Sequence, residues 1–362
     1  MASSCDDPGL LPLEEALTRL AAAIPGPGHE EVLADRDDPA LDRSAMDGAA
    51  MRVADGAAPR LILGTLFAGD DPGAFTVGAG AAVRIMTGAC IPAGADTVVP
   101  VEQLGEAEGR LIPADAPRPG DHIRRRGSHA RKGEVLLTAG SPTSAAVVGL
   151  RAQVGLPAAD LRRVRVGIAS TGDELAADPR PHQIRDSNGP MLEALAHNLG
   201  AEVRRLPSLP DDEAALIARL TDLGGVQVLL TSGGVSMGEK DLLPEVLKGL
   251  GAEILFHKIR LKPGKPMLAA KLGGTVILGL PGNPVSAYLN TLLFLPVALA
   301  RLEGRRISDP WKHGELTASV KNRGDRPLLH PCRIEGSRVM PVESRGSGDL
   351  VALARAHACA WI

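Results

Sequence analysis

From about residue 164 the chain alternates short apolar runs with helical periods, and this alternation restricts its fold more than any other feature. In "RRVRVGIASTGDEL", Val164, Val166 and Ile168 mark a strand that ends in a Thr-Gly-Asp turn. A helix over "GPMLEALAHNLG" follows, with Gly200 as its C-terminal cap. The strand "AEVRRLPSLPDD", the helix "EAALIARLTDLG" and the strand "VQVLLTSGG" come next. Strands separated by helices of this length predict βαβ crossovers and an open, mostly parallel sheet. In such sheets ligands sit outside the carboxyl ends of the strands. Thr171-Gly172-Asp173-Glu174 and Gly233-Gly234 both fall at expected carboxyl ends. In "LLTSGGVSMGEKD" the glycine pair has two readings. It supplies positive φ in a strand-to-helix turn, or it exposes backbone N–H groups to an anion with an acid nearby to hold a metal.

The flanking sequence has a different texture. In "GLLPLEEALTRLAAAI", Leu13, Ala16, Leu17 and Leu20 form one helical stripe. Between about 48 and 140, runs such as "RLILGTL", "AAVRIM", "DTVVPVE" and "EVLLTAG" alternate with Gly, Pro and Asp, which predicts a small β-rich unit. "SAAVVGLRAQVG" reads as a helix ending at Gly155, and a β-textured tail runs from about 309. The fold class is therefore α/β and multidomain: an open, mostly parallel α/β domain with a β-rich N-terminal unit and a short C-terminal β domain. The expected partition is an N-terminal region 1–160, whose helical segments 1–43 and 141–160 flank a β-rich unit 44–140, then the α/β domain 161–308 and a short, truncated β domain 309–362. A length of 362 residues suits two or three domains.

Composition narrows the function. The net charge of −3 gives no support to a nucleic-acid or membrane surface. No apolar run approaches the ~20 residues of a membrane span, and the acidic N-terminus lacks a basic stretch before an apolar core. Cys5, Cys90, Cys332 and Cys359 form no CxxC pair, so neither zinc site nor disulfide framework is indicated and the cytoplasm is the expected compartment. With two Trp, one Tyr and four Phe, a flat ligand must be held by backbone, aliphatic and polar groups rather than by stacking.

Several stretches carry polar or backbone-restricted residues that a core does not require. "SAMDG" sets Asp47 before a glycine, and "RIMTGACIPAGADTVV" presents Thr87-Gly88 after a strand; an Asx turn and a capping threonine are the structural alternatives. "STGDEL" and "LPDDE" can each start a helix. "HKIRLKPGKPMLA" gathers Lys258, Arg260, Lys262 and Lys265 around a Pro-Gly corner, the first three on one face if the segment is extended. Such lysines can also guard a sheet edge. In "LGLPGNPVSA" two prolines fix φ across a rigid turn. Acids that hold a divalent cation and lysines that neutralise oxyanions are components of phosphoryl or oxyanion transfer. GxxxxGK[ST] and HExxH do not occur. These residues describe an anion-handling α/β enzyme.

Taken in order, "SAMDG", "RIMTGACIPAGADTVV", "IRRRG", "STGDEL", "IRDSN", "TSGGVSMGEKD", "LKPGKP" and "LPGNPVSA" closely resemble the molybdopterin molybdenumtransferase family of MoeA and the gephyrin E domain. The resemblance covers essentially the whole chain. It implies that the α/β domain binds molybdopterin, with Gly233, Gly234 and Ser236 in a loop facing the phosphate-bearing ligand. It implies insertion of molybdate into adenylylated molybdopterin with release of AMP, a divalent cation (Mg2+), a cytoplasmic homodimer, and contact with other molybdenum cofactor biosynthesis proteins. Asp47, Thr87, Glu174, Asp211 and Asp241 match the family's functional polar positions, with Glu174 and Asp241 as metal ligands. Lys258 and Lys262 match its basic pair, Pro281 and Pro284 its rigid turn, and Arg333 and Ser347 its C-terminal positions. Three departures stand out: Ala49 where the family has tyrosine, Ser128 and His129 where it has an acidic pair, and an early end at "HACAWI". A tungstate-inserting relative, a nucleotidyltransferase acting on molybdopterin and a catalytically degenerate scaffold are the alternative readings.

Overall fold

The computed structural model describes residues 10–27, 30–157, 163–172, 174–209, 212–234 and 242–362. The chain divides into two compact units, one drawn from residues 1–28, 142–144 and 160–362, the other from 29–141 and 145–159.

The first unit is built on a six-stranded sheet in the order Glu202–Arg205, Arg165–Ser170, Val228–Ser232, Thr275–Leu280, Leu268–Leu272, Glu253–His257. The first four strands are mutually parallel and the last two add antiparallel. Burial of both faces of the sheet explains why these segments read as continuous apolar runs. Val166, Ile168, Val228, Leu230 and Leu278 face one core, while Ala169, Leu229 and Ile277 face another. The helices Leu13–Ala23, Asn188–Asn198 and Pro284–Leu302 cover the first face through residues such as Leu20, Leu192 and Phe294. Glu213–Thr221 and Leu243–Gly249 cover the second through Leu216, Leu220 and Leu247.

Most expected elements appear within a few residues of their sequence bounds. Leu13, Ala16 and Leu20 are buried on the first helix and Leu17 packs partly against the same core. That helix joins the α/β unit rather than the β-rich one, because its apolar stripe finds its partner face there. Pro284–Leu302 is long and apolar enough to cross a membrane, yet most of it is buried against the sheet.

The tail of the chain belongs to the same unit. It forms a four-stranded sheet in the order Glu315–Leu316, Arg338–Pro341, Leu329–Glu335, Ala358–Trp361. Lys262 N–H donates to Pro327 O at 2.9 Å, Leu329 N–H donates to Lys262 O at 2.8 Å, and Arg260 pairs with Asp325 at 3.3 Å.

The second unit holds a six-stranded sheet in the order Thr97–Pro100, Gly48–Met51, Ala81–Ile85, Arg60–Leu66, Arg110–Pro113, Leu104–Ala107. Only Arg60–Leu66 and Ala81–Ile85 pair in parallel. Two short ladders join Val32–Leu33 to Val135–Leu137 and Arg43–Ser44 to Ile123–Arg124. The helix Ala145–Gln153 completes the unit.

Candidate functional site

Three parallel neighbours end side by side in the α/β unit, since Ser170 is in register with Ser232 and Ser232 with Leu280. Their continuations are Thr171-Gly172, Gly233-Gly234 and Pro281-Gly282. This is the edge at which an open α/β sheet binds ligands. The three turns are stitched together. Thr171 donates to Ser232 O through both its N–H, at 2.9 Å, and its hydroxyl, at 3.0 Å. Gly233 N–H donates to Leu280 O at 3.0 Å. Gly233 has φ +97°, and a Cβ there would overlap the Thr171 hydroxyl, so only glycine suits both backbone and space.

Asn188, at the start of its helix, ties the third turn to the second. Its amide nitrogen donates to Ser232 Oγ at 2.6 Å and to Gly282 O at 2.7 Å, while its buried Oδ1 has no partner among the described residues. Beside it, Asp186 accepts from Ser170 Oγ, Arg205 Nη2 and Gly189 N–H, each at 2.8 Å. Partial burial opposes ionisation of Asp186, but those three donors together hold its carboxyl below the usual carboxylate range. Asp186 is thus a locked acceptor that sets the entry of the Asn188–Asn198 helix. The "IRDSN" motif is visible in the sequence, but the contacts of Ser170, Asp186 and Asn188 are not. Their signal is a buried polar pair in a segment that looks like loop.

Glu174 is exposed in the turn that follows Gly172, and the backbone there forms no helix, so "STGDEL" does not cap one. The helix waits until Asn188 because residues 174–184 first fold back on themselves, with Ile184 N–H on Glu174 O at 2.9 Å. "LPDDE" does start a helix: Asp212 accepts from Ala215 N–H at 2.8 Å. Asp173, Asp211, Ser236 and Asp241 lie outside the described residues. Among the described residues no group of three or more His, Cys, Asp and Glu side chains is arranged to hold a metal ion.

The basic segment departs from its extended expectation. The strand ends at His257, Lys258 has φ +74°, and the Lys262-Pro263 peptide is cis. Lys258, Arg260 and Lys262 therefore do not share a strand face, because the Pro-Gly corner turns the chain back into Leu268–Leu272. Gly264 O in that corner accepts from the buried Asn290 amide at 3.2 Å, so the corner rests on the Pro284–Leu302 helix. Lys262 Nζ donates to Arg323 O at 3.0 Å. Pro284 opens the helix at its first position, where the missing N–H costs nothing. Val285 N–H donates to Ser347 O at 3.1 Å, which brings Ser347 to the Pro281–Pro284 turn. Arg333 lies elsewhere on the C-terminal sheet, donating from Nε to Arg355 O at 2.8 Å.

In the β-rich unit the structure joins two of the expected residues. Asp47 Oδ1 accepts from Thr87 N–H at 2.6 Å and from Thr87 Oγ1 at 2.7 Å. These two donors hold the Asp47 carboxyl below its usual range. Gly48 lets its strand pair closely with Thr97–Pro100, since a Cβ there would overlap Val99 O. Both side chains remain exposed, so a fixed carboxylate and a hydroxyl face solvent together. Ala49 is fully buried among Met51, Ala82, Val99 and Leu111, and His129 Nδ1 faces Asp38 Oδ2 at 3.2 Å.

The arrangement offers an anion bare backbone and hydroxyls at strand ends. A family model described as the MoeA N-terminal region (domain I and II) matches residues 11–155, and one described as a probable molybdopterin binding domain matches 167–300. The molybdopterin molybdenumtransferase of Haemophilus influenzae is 37% identical over 313 residues, covering 83% of this chain and 74% of that protein. Its namesake in Staphylococcus epidermidis is 30% identical over 364 residues, covering 96% and 85%. Among solved structures, the molybdopterin biosynthesis MoeA protein of Pyrococcus horikoshii superposes with a TM-score of 0.69 at 27% identity, covering 98% of this chain and 94% of that one. By its ordered motifs, its paired sheets and these relatives, the chain belongs to the molybdopterin molybdenumtransferase family of transferases.

Proposed function

We propose that this chain inserts molybdate into adenylylated molybdopterin during molybdenum cofactor biosynthesis and releases AMP. The observation that carries the reading is the row of three adjacent carboxyl-end turns, Thr171-Gly172, Gly233-Gly234 and Pro281-Gly282, stitched by Thr171 and Asn188. Backbone N–H groups and hydroxyls fixed there suit a phosphate-bearing ligand held without aromatic stacking. Lys258 and Lys262, on either side of the segment leading into the corner that rests on the Pro284–Leu302 helix, are assigned positive charge toward the ligand, and Ser347, whose carbonyl accepts from Val285 N–H, is assigned a hydroxyl contact. Asp47 and Thr87 are assigned to the reacting groups as a preset acceptor and donor. The partition into 1–160, 161–308 and 309–362 is proposed as the functional division of labour.

Mg2+ is proposed as the divalent cation, with Glu174 and Asp241 as its ligands. The exposed carboxylate of Glu174 at a strand-end turn is an oxygen donor of the kind a hard cation takes. When bound, the cation would neutralise phosphate charge. A homodimer in the cytoplasm that meets other molybdenum cofactor biosynthesis proteins completes the proposal.

Incubation of the purified chain with adenylylated molybdopterin, molybdate and magnesium should release AMP, and Glu174→Gln and Asp241→Asn should each suppress it with the fold intact. Absence of AMP release from a folded wild-type protein would instead favour a scaffold.

A further inference from the structure

A cavity of about 220 Å³ in the β-rich unit is lined by Arg36, Arg43 and Arg124 together with His129 and a single carboxylate, Asp38. The arginines of this region sort into two groups. Arg125 pairs with Asp42 at 2.7 Å and Arg126 with Asp37 at 2.6 Å, so those two charges are neutralised locally. Arg36 and Arg124 have no side-chain hydrogen bond or ion pair among the described residues, and Arg43 gives only Nη1 to Gly88 O, at 2.6 Å. Asp38 supplies one negative charge against these three guanidinium groups, and its Oδ2 also accepts from Gln153 Nε2 at 2.8 Å and faces His129 Nδ1.

Arg43 and Arg124 are also direct cross-strand partners in the antiparallel ladder of Arg43–Ser44 with Ile123–Arg124. Like charges set opposite each other destabilise a ladder unless something of opposite charge lies between them. Guanidinium forks suit the oxygens of a phosphate group, which they can grip in pairs. The volume equals roughly seven water molecules, and it falls short of the ~300 Å³ lower bound for pockets that enclose a drug-sized ligand. A phosphate group fits within it, whether free or borne by a larger molecule that extends out of the cavity. We propose that the Arg36–Arg43–Arg124 cavity is a binding site for a dianionic phosphate group, either free or carried terminally on a larger molecule. The site lies wholly within the β-rich unit and its test reads binding, so it stands or falls separately from the activity proposed above.

Isothermal titration of the full chain with inorganic phosphate, AMP and adenosine, at ionic strength fixed with sodium chloride, decides the matter. Phosphate should bind, and Arg36→Gln and Arg124→Gln should each weaken it about tenfold or more. AMP binding that is tighter than phosphate binding, is weakened by both substitutions and is not competed by adenosine assigns the site to a nucleotide's phosphate; equal affinities assign it to free phosphate. Without phosphate, Arg124→Gln should melt no lower than wild type, since it relieves the cross-strand repulsion. Added phosphate should then raise the melting temperature of wild type more than that of the variant. Failure of both phosphate and AMP to bind at millimolar concentration, or binding indifferent to both substitutions, overturns the proposal. Arg36 is exposed, so Arg36→Gln keeps the test decisive even if Arg124→Gln misfolds.

Discussion

Asn188 is only 8% exposed, and its two donated hydrogen bonds reach residues 44 and 94 positions away in the chain. No local pattern in "IRDSN" reveals such contacts, which explains why the motif was legible and its mechanics were not. Asn188→Ala should cost ~1–3 kcal/mol in chemical denaturation, because Gly282 O and Ser232 Oγ lose a buried donor. Asn188→Asp should cost more at neutral pH, where a carboxylate would face the Gly282 carbonyl. The neighbouring Asp186 gives a pH signature. Its folded pKa lies below the unfolded one, so its contribution is complete above the unfolded value and is lost as pH falls through the folded value. Asp186→Asn should therefore be less stable than wild type by ~2 kcal/mol at pH 7, with the gap closing on acidification. A gap that does not change between pH 7 and pH 3 would remove the charge from this account. Ala49 gives the opposite lesson, since its departure from the family's tyrosine was visible but its consequence needed the packing. The site is fully enclosed, so Ala49→Tyr should overpack it and cost ~1–3 kcal/mol.

At the scale of elements, the strand-end turns show what alternation can and cannot predict. The βαβ pattern located Thr171 and Gly233-Gly234 at carboxyl ends correctly, because strand length and apolar runs are local properties. For "STGDEL" and the bent "LKPGKP" corner the sequence leaves the shape open, because chain reversal and distant partners such as Asn290 decide it. The Asp47–Thr87 clamp joins loops 40 residues apart and was named residue by residue but not as a pair. If the clamp acts as one unit, Asp47→Asn and Thr87→Ala should each lower AMP release by about 10²-fold, a size typical of lost positioning. The double variant should be scarcely worse than either single one. Both side chains are exposed, so melting temperatures should barely move. Multiplicative losses in the double variant would show that the two act separately.

For the whole molecule, the cores carry the argument. The clusters around Leu230 and Leu229 draw only on the α/β unit, and those around Val83 and Met51 only on the β-rich unit. The β-rich unit is inserted in sequence after the first helix, an arrangement that composition alone does not reveal, since a helix stripe names no partner. A stripe shows only that some face must be covered. Separate cores need not unfold together, and a single all-or-none transition is expected only where one core spans the chain. Calorimetry of the full chain should then show a van't Hoff enthalpy below the calorimetric one, with two resolvable transitions. Leu230→Ala, which empties a fully buried position in the α/β sheet, should lower one transition by the equivalent of ~2–5 kcal/mol. The transition belonging to the β-rich unit should stay in place, and Val83→Ala should reverse the pattern. A single transition that both substitutions lower equally would mean that the two units fold as one cooperative body, with coupling between them as strong as the packing within either.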